Sequence, residues 1–348
     1  MRSPFPPLYC GHNIIREGQE TMDNIIETHQ LKKSFRVRHS KDREPQIVEA
    51  VRGIDLAIRV GEIFGFLGPN GAGKTTTLRM LATLIPPSSG QAKIAGYDLG
   101  RESKQIRSCI GYVSQAGGSD VTATGRENLM LQAQLHGLSH RDALRHTNTL
   151  LNVLELESVA DRLVRTYSGG QRRRLDLALG MIHWPRLLFL DEPTTGLDPQ
   201  SRARLWDEVR RLRAEGTTIF LTTHYLEEAD ALADRLAIID EGLIVVEGTP
   251  ESLKQQIAGD VITFGLKSNN GTRQKLETLF RQQPYVREVH PSGDQIQLYV
   301  ERGEENLPTL LHLLDAAGVA VQRIALTRPS LDDVFLRKTG RSLREEHA

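Results

Sequence analysis

The sequence predicts an α/β protein: a mainly parallel, doubly wound sheet carrying an antiparallel β layer and a helical lobe, followed by a small C-terminal α+β unit. Three observations predict it. Strand-like apolar runs, "LLFLD" (187–191), "TIFLTTH" (218–224) and "LAIID" (236–240), alternate with helical segments, the order expected of a parallel sheet built from crossover units. A glycine-rich loop, "GPNGAGKTT" (68–76), sits between the strand pattern "EIFGFL" and the helical pattern "TTTLRMLATL". Near Gly259 the character changes, and short runs follow in a βαββαβ-like order.

The leading residues contain Pro4, Pro6 and Pro7 and lack the continuous apolar core of a secretory leader. Residues 1–24 therefore read as a disordered extension, or as upstream sequence if translation begins at Met22 rather than Met1. From Ile25, "IIETHQLKKSF" and "AVRGIDLAIRV" read as the antiparallel layer, with the charged loop "RVRHSKDREPQ" between Phe35 and Ile47. "TTTLRMLATL" has helical spacing and stops before Pro86 and Pro87, and "GQAKIAGYDLG" reads as strand, turn and strand. Residues 122–163, rich in Leu, Gln, Glu and Arg, read as a mostly helical lobe. Beyond Gly259, "DVITFGL", "TRQKLETLF", "VREVH", "QIQLYV", "NLPTLLHLLDAAG" and "VQRIALT" supply the α+β unit. The resulting division is a first domain over 25–258, an accessory domain over 259–340 and a tail over 341–348.

Composition sets outer limits. A chain of 348 residues, 39% hydrophobic and 25% charged, is ordinary for a soluble globular protein. Lys+Arg and Asp+Glu balance at 44 each, so no nucleic-acid partner is expected from charge. Two cysteines, Cys10 and Cys109, are too few for a disulfide framework and are not spaced as a CxxC pair, so the sequence reads as that of a protein from a reducing compartment. No run approaches about 18 consecutive apolar residues, so a membrane role requires a partner.

The chemistry concentrates in a few motifs. "GPNGAGKTT" fits G-x-x-x-x-G-K-[ST] through Gly68, Gly73, Lys74 and Thr75, and its strand-to-helix setting is the context the motif needs. Pro69, Asn70, Gly71 and Ala72 complete a loop whose N–H groups can curl around phosphates, with Thr76 following in the helix. Lys74 reaches the β- and γ-phosphates, and Thr75 can ligate Mg²⁺. "LLFLDEP" brings Asp191 and Glu192 to the carboxyl end of a buried strand, where Asp191 can hold Mg²⁺ through water and Glu192 can polarise an attacking water. A second glycine turn, "YSGGQ", precedes a helix with apolar positions Leu175, Ala178, Leu179 and Ile182, so Ser168 reads as its N-cap. Arg172, Arg173 and Arg174 read as a solvated face.

Over roughly residues 25–255 this arrangement resembles the ATP-binding-cassette (ABC) ATPases, which bind ATP with Mg²⁺. The resemblance makes "YSGGQ" the family's signature, with Ser168, Gly169, Gly170 and Gln171 covering the γ-phosphate held by the phosphate loop of a second copy in a head-to-tail homodimer. It implies that Gln115 in "GYVSQ" touches Mg²⁺ or water and senses a membrane partner, and that His224 contacts the γ-phosphate. Asp198 in "GLDP" would couple the two sites, and Phe35 would stack on adenine, the alternative for that residue being a core aromatic. "RPSLDDVFLRKTG" near the C-terminus is similar to the closing motif of the daunorubicin-resistance type of drug-efflux ATPase subunit. The expected protein is therefore an ATPase driving export of a small hydrophobic compound, such as a drug or antibiotic. It would act through a separate integral membrane permease, bound peripherally at the cytoplasmic face of the cell membrane. The rival is a soluble cassette ATPase acting on ribosomes or DNA. One phosphate loop, one signature and no heptad tract argue against it.

Overall fold

The structure is a computed structural model and describes residues 23–37, 46–256, 259–266, 270–292, 295–319, 321–327 and 329–340. The expected leading extension lies outside these residues as far as residue 22, as do the middle of the loop after Phe35 and the tail from residue 341. The chain divides into two compact units, residues 1–249 and 250–348.

The first unit opens with β1 (Asn24–Val37) and β2 (Gln46–Arg59), paired antiparallel, and then β3 (Ile63–Leu67) runs into α1 (Lys74–Leu81). β4 (Ser89–Ile94) and β5 (Tyr97–Asp98) form a hairpin whose turn residues, Ala95 and Gly96, have φ of 51° and 86°. Positive φ at both positions matches the twist of the flanking strands. α2 (Ser103–Cys109) leads into β6 (Ile110–Val113), and α3 (Gly125–Leu135) and α4 (His140–Val153) make the helical lobe. α5 (Gly169–Met181), β7 (Leu187–Asp191), α6 (Pro199–Ala214), β8 (Thr218–Thr223), α7 (Leu226–Leu232), β9 (Arg235–Asp240) and β10 (Leu243–Gly248) complete it.

Among the described residues the main sheet has the order β10-β9-β3-β8-β7-β6, and the antiparallel layer the order β2-β1-β4-β5. β9, β3, β8, β7 and β6 run parallel, with β10 antiparallel at one edge. Every residue of β3, β7 and β8 is buried, as a parallel sheet covered on both faces requires. Phe64, Phe189 and Phe220 meet inside it, Phe220 lying 5.8 Å from Phe64 and 5.7 Å from Phe189 between ring centres. This rigid core brings the ends of β3, β6, β7 and β8 to one rim, where an open α/β sheet binds ligands.

The second unit begins at Pro250, with α8 (Pro250–Gln255), nine residues earlier than Gly259, where the sequence changes character. β11 (Asp260–Leu266), α9 (Asn270–Arg281), β12 (Val286–Ser292), β13 (Gln295–Val300), α10 (Gly303–Ala316), β14 (Val321–Thr327) and α11 (Leu331–Thr339) follow. Its sheet has the order β12-β13-β11-β14, all antiparallel, covered by a core that includes Ile262, Phe264, Phe280, Leu298 and Leu310. α8 packs on α11, and that contact assigns it to this unit. No helix among the described residues is long and apolar enough to cross a membrane.

Candidate active site

The phosphate loop leaves β3 and turns into α1 through glycines that no other residue could replace without movement. A β-carbon on Gly68 would stand 2.2 Å from Ile239 O, and one on Gly73, at φ 102°, 2.4 Å from Ala50 O. Gly73 immediately precedes α1, so the first N–H groups of the helix, which lack intrahelical partners, open onto the loop. Ala72 N–H closes the loop on Pro69 O at 3.3 Å, while Asn70 and Gly71 are exposed. Lys74 is buried, and its Nζ donates to Gly68 O at 2.8 Å and Pro69 O at 3.0 Å.

β7 delivers the acidic pair. Asp191 Oδ1 accepts from Thr75 Oγ1 at 2.9 Å and from Thr222 Oγ1 at 2.8 Å. Glu192 follows with φ 46°, a left-handed backbone that costs a non-glycine residue about 1–2 kcal/mol. Its N–H is held by Thr222, through both O and Oγ1 at 3.1 Å.

The Glu192 carboxylate is the meeting point of the site. Gln115 Nε2 donates to Oε2 at 3.0 Å, Thr195 Oγ1 reaches it at 3.3 Å, and His224 Nδ1 lies 3.2 Å away. Lys74 Nζ stands 3.5 Å from Oε1. Burial pushes the Glu192 carboxyl up, but the hydrogen bond and charge of His224 and then Lys74 outweigh it and hold the group below the ordinary glutamate range. The result is an ionised carboxylate at a largely dry strand end, able to accept a proton. Gln115 lies just beyond β6 and His224 directly follows β8, so residues 77 positions before and 32 positions after Glu192 converge on it because their strands are neighbours in the sheet.

Thr75 and Asp191 present hard oxygen donors 2.9 Å apart, with the Gln115 side chain close by through Glu192. Such a donor set fits a hard divalent cation completed by substrate phosphates and water.

The remaining residues picked out from the sequence lie elsewhere on the first unit. Ser168 N-caps α5 in a reciprocal box: Gln171 N–H donates to Ser168 Oγ at 3.2 Å, and Ser168 N–H to Gln171 Oε1 at 2.9 Å. Gly170 leaves room for α6, since a β-carbon there would stand 2.7 Å from Ser201 Oγ. Asp198 caps α6, accepting from Gln200 N–H and Ser201 N–H at 3.0 Å and from Ser201 Oγ at 2.6 Å. The Ser201 contacts and the other N–H bonds hold its carboxyl below the ordinary range. Phe35 is 39% exposed, with Lys33 Nζ 5.1 Å from its ring centre, so it is no core aromatic.

Arg173 corrects the expectation of a solvated arginine face. It is 8% exposed, one helical turn before buried Leu177, and points into the rim of the sheet. Its guanidinium donates to the carbonyls of Ser114, Asp191, Glu192 and Pro193. A run of three arginines hides which one turns inward. The available signal was the phase of Leu177 along the helix.

Fold and site together define a nucleotide-binding cassette: a phosphate loop, an acidic strand end and a capped glycine turn on a core of parallel strands. Residues 51–195 match the ABC transporter family, and residues 248–339 match the family described as ATP-binding protein DrrA1-3-like, C-terminal domain. The daunorubicin resistance ATP-binding protein DrrA2 of Streptomyces coeruleorubidus is 44% identical over 295 residues, 84% of this chain and 90% of that protein. The Nod factor export ATP-binding protein I of Rhizobium sp. (strain N33) is 40% identical over 85% of this chain and 93% of its own length. Among solved structures, an ATP binding subunit of an ABC transporter aligns with a TM-score of 0.57 and 26% identity, over 67% of this chain and 92% of that one. The chain belongs to the ABC transporter ATP-binding proteins and carries the DrrA-type C-terminal domain. It is an ATP-binding and ATP-hydrolysing subunit that powers export, and the ribosome- or DNA-acting alternative is not favoured.

Proposed function

We propose that ATP is hydrolysed by water activated at Glu192, in a site completed by a second copy of this chain, and that the cycle drives a separate membrane permease. The observation that carries this reading is the convergence of Lys74, Gln115 and His224 on one ionised carboxylate beside the phosphate loop.

In this reading Gly68, Pro69, Asn70, Gly71, Ala72, Gly73 and Thr76 wrap the phosphates, and Lys74 neutralises the β- and γ-phosphate oxygens. Glu192 accepts the proton as water attacks, while His224 and Gln115 fix the carboxylate and the attacking water. Thr75 and Gln115, with Asp191 through water, would hold Mg²⁺, which when bound supplies charge neutralisation at the phosphates. Phe35, exposed near the C-terminal end of β1, would offer its face to adenine. Ser168, Gly169, Gly170 and Gln171 serve the γ-phosphate of the second copy, and Asp198 links the two sites. Charge develops on the transferring phosphoryl group, so positioned donors and cations matter more than covalent chemistry.

Relatives named for daunorubicin resistance and Nod factor export favour a small, largely hydrophobic cargo. The permease would supply the membrane spans and hold this subunit at the cytoplasmic face, with the second unit, which begins at Pro250, as an accessory domain. The test is uptake of a fluorescent anthracycline into inverted vesicles containing this chain and its co-encoded permease. ATP-dependent uptake that disappears with Glu192→Gln supports the reading. ATP hydrolysis without uptake of the anthracycline or other hydrophobic probes removes the cargo assignment.

A further inference from the structure

We infer that Arg173 is a positioning residue for Glu192, and that it ties the signature helix of each chain to that chain's own hydrolytic carboxylate. The inference rests on the assignment of Glu192 as the base.

Four carbonyls converge on one guanidinium. Nε donates to Pro193 O at 2.6 Å, Nη1 to Ser114 O at 2.7 Å, and Nη2 to both Asp191 O and Glu192 O at 3.2 Å. A planar group with five donors in a fixed fork can hold these acceptors in one geometry, whereas an ammonium is a compact point charge without that plane. Three of the four carbonyls belong to consecutive residues, the end of β7 and the turn that carries the acidic pair. The fourth belongs to the residue immediately before Gln115.

Glu192 needs such a restraint. Its left-handed φ of 46° is unfavourable for glutamate, and the residue is pinned on both sides of its α-carbon. Thr222 takes the N–H, while Arg173, together with Thr195 N–H at 3.3 Å, takes the carbonyl. Releasing the carbonyl lets the backbone relax and swings the carboxylate away from Lys74 and His224.

α5 grips the Gln115 loop from both sides. One residue before Gln115, Ser114 O is held by Arg173; beyond it, Gly118 N–H and Ser119 N–H donate to Asp176 Oδ1 at 3.0 and 3.2 Å. Asp176 is buried and lies three residues after Arg173 on the same helix. Ser168, which caps α5 and is assigned to the second copy's phosphate, begins this same rigid element. A displacement at Ser168 therefore moves Glu192 and Gln115 through hydrogen bonds, giving each site a physical link to the other.

The test compares Arg173→Lys and the harsher Arg173→Met, with folding checked by thermal melts, in ATPase turnover and in affinity for a fluorescent ATP analogue. We expect kcat to fall about 10- to 100-fold, the scale of a misplaced reactive group, while nucleotide affinity stays within about threefold because no phosphate-loop contact is touched. In the Glu192→Gln background, single-turnover hydrolysis should lose less than about twofold more on adding Arg173→Lys, because a residue acting through Glu192 has nothing left to position. Wild-type kcat in folded Arg173→Lys, or a fully multiplicative loss in the Glu192→Gln background, overturns the inference even if Arg173→Met fails to fold. Rapid hydrolysis by Glu192→Gln alone would instead remove the base assignment, an outcome readable without any change at Arg173.

Discussion

Replacing Glu192 by glutamine keeps the side chain's shape and the room around it but removes its ability to take up a proton. ATP binding should persist, since Lys74 and the loop glycines are untouched, and turnover should fall by about 10²–10⁴. Near-normal steady-state hydrolysis would contradict the role given to this carboxylate. The surroundings also set its pH response. His224 and Lys74 hold the Glu192 carboxyl below the ordinary range, so it is ionised throughout the neutral region and activity should not decline through loss of this base as pH falls from 8 to about 6. Lys74, Asp191 and Glu192 were legible as residues because each follows a strand pattern, and the loop glycines because of their spacing. Arg173 was not, because a charged residue at the start of an amphipathic helix is ordinarily solvated; burial becomes possible only where several carbonyls converge, as they do here.

The end of α5 carries a histidine cluster with its own consequence. His183 stacks on His136, at the end of α3, with ring centres 3.7 Å apart and planes within 9°. Its Nε2 lies 2.9 Å from Ile110 O, at the start of β6, and therefore carries the hydrogen. His146 on α4 lies with Nδ1 2.8 Å from Ile182 O and its ring 5.2 Å from Trp184. Burial, with some repulsion from His136, pushes His183 from the ordinary 6.5 down to about 3, and burial lowers His136 and His146 as well. A lowered folded-state value means that the unfolded chain takes up the proton first. Stability should accordingly decline as pH drops below 6.5 toward 3, at up to about 1.4 kcal/mol per pH unit for His183 alone. Urea melts at pH 7.5 and 5.5 measure this. His183→Gln, which retains a donor for Ile110 O, should shrink the difference; an unchanged difference would show that the acid sensitivity originates elsewhere.

At the scale of the whole molecule the question is which chain each signature turn serves. Lys74→Ala and Ser168→Arg should each be inactive alone, because every site in either homodimer contains one damaged part. In a head-to-tail mixture, the Ser168→Arg chain contributes an intact phosphate loop and the Lys74→Ala chain an intact signature, so one complete site forms in each mixed pair. Co-expression should recover part of the ATPase activity. A site using its own chain's signature predicts no recovery, and absence of both activity and ATP-dependent mixed dimers from folded variants would reject the two-copy site. The two structural units also behave differently in sequence and in space. α8 reads along the chain as a continuation of the first domain, yet it packs on α11 far downstream, so the boundary lies at Pro250.

By itself the sequence determined the chemistry and the class of fold. Glycine spacing, the strand before Lys74, the acidic pair after four apolar residues and the βαββαβ-like order after Gly259 are local patterns, and local patterns report backbone geometry and burial directly. Two edge strands escaped it: β6 is only four residues long, and β10 returns antiparallel beside β9 after a two-residue turn, outside the strand–helix alternation that marks the rest of the sheet. Tertiary structure alone decided which atoms meet. Gln115, Glu192 and His224 gather at one carboxylate because β6, β7 and β8 are adjacent, and Arg173 is buried because the carbonyls that satisfy it come from two different segments of the chain. Contacts between distant positions depend on strand order, and strand order is set by packing of the whole core rather than by any single stretch of residues.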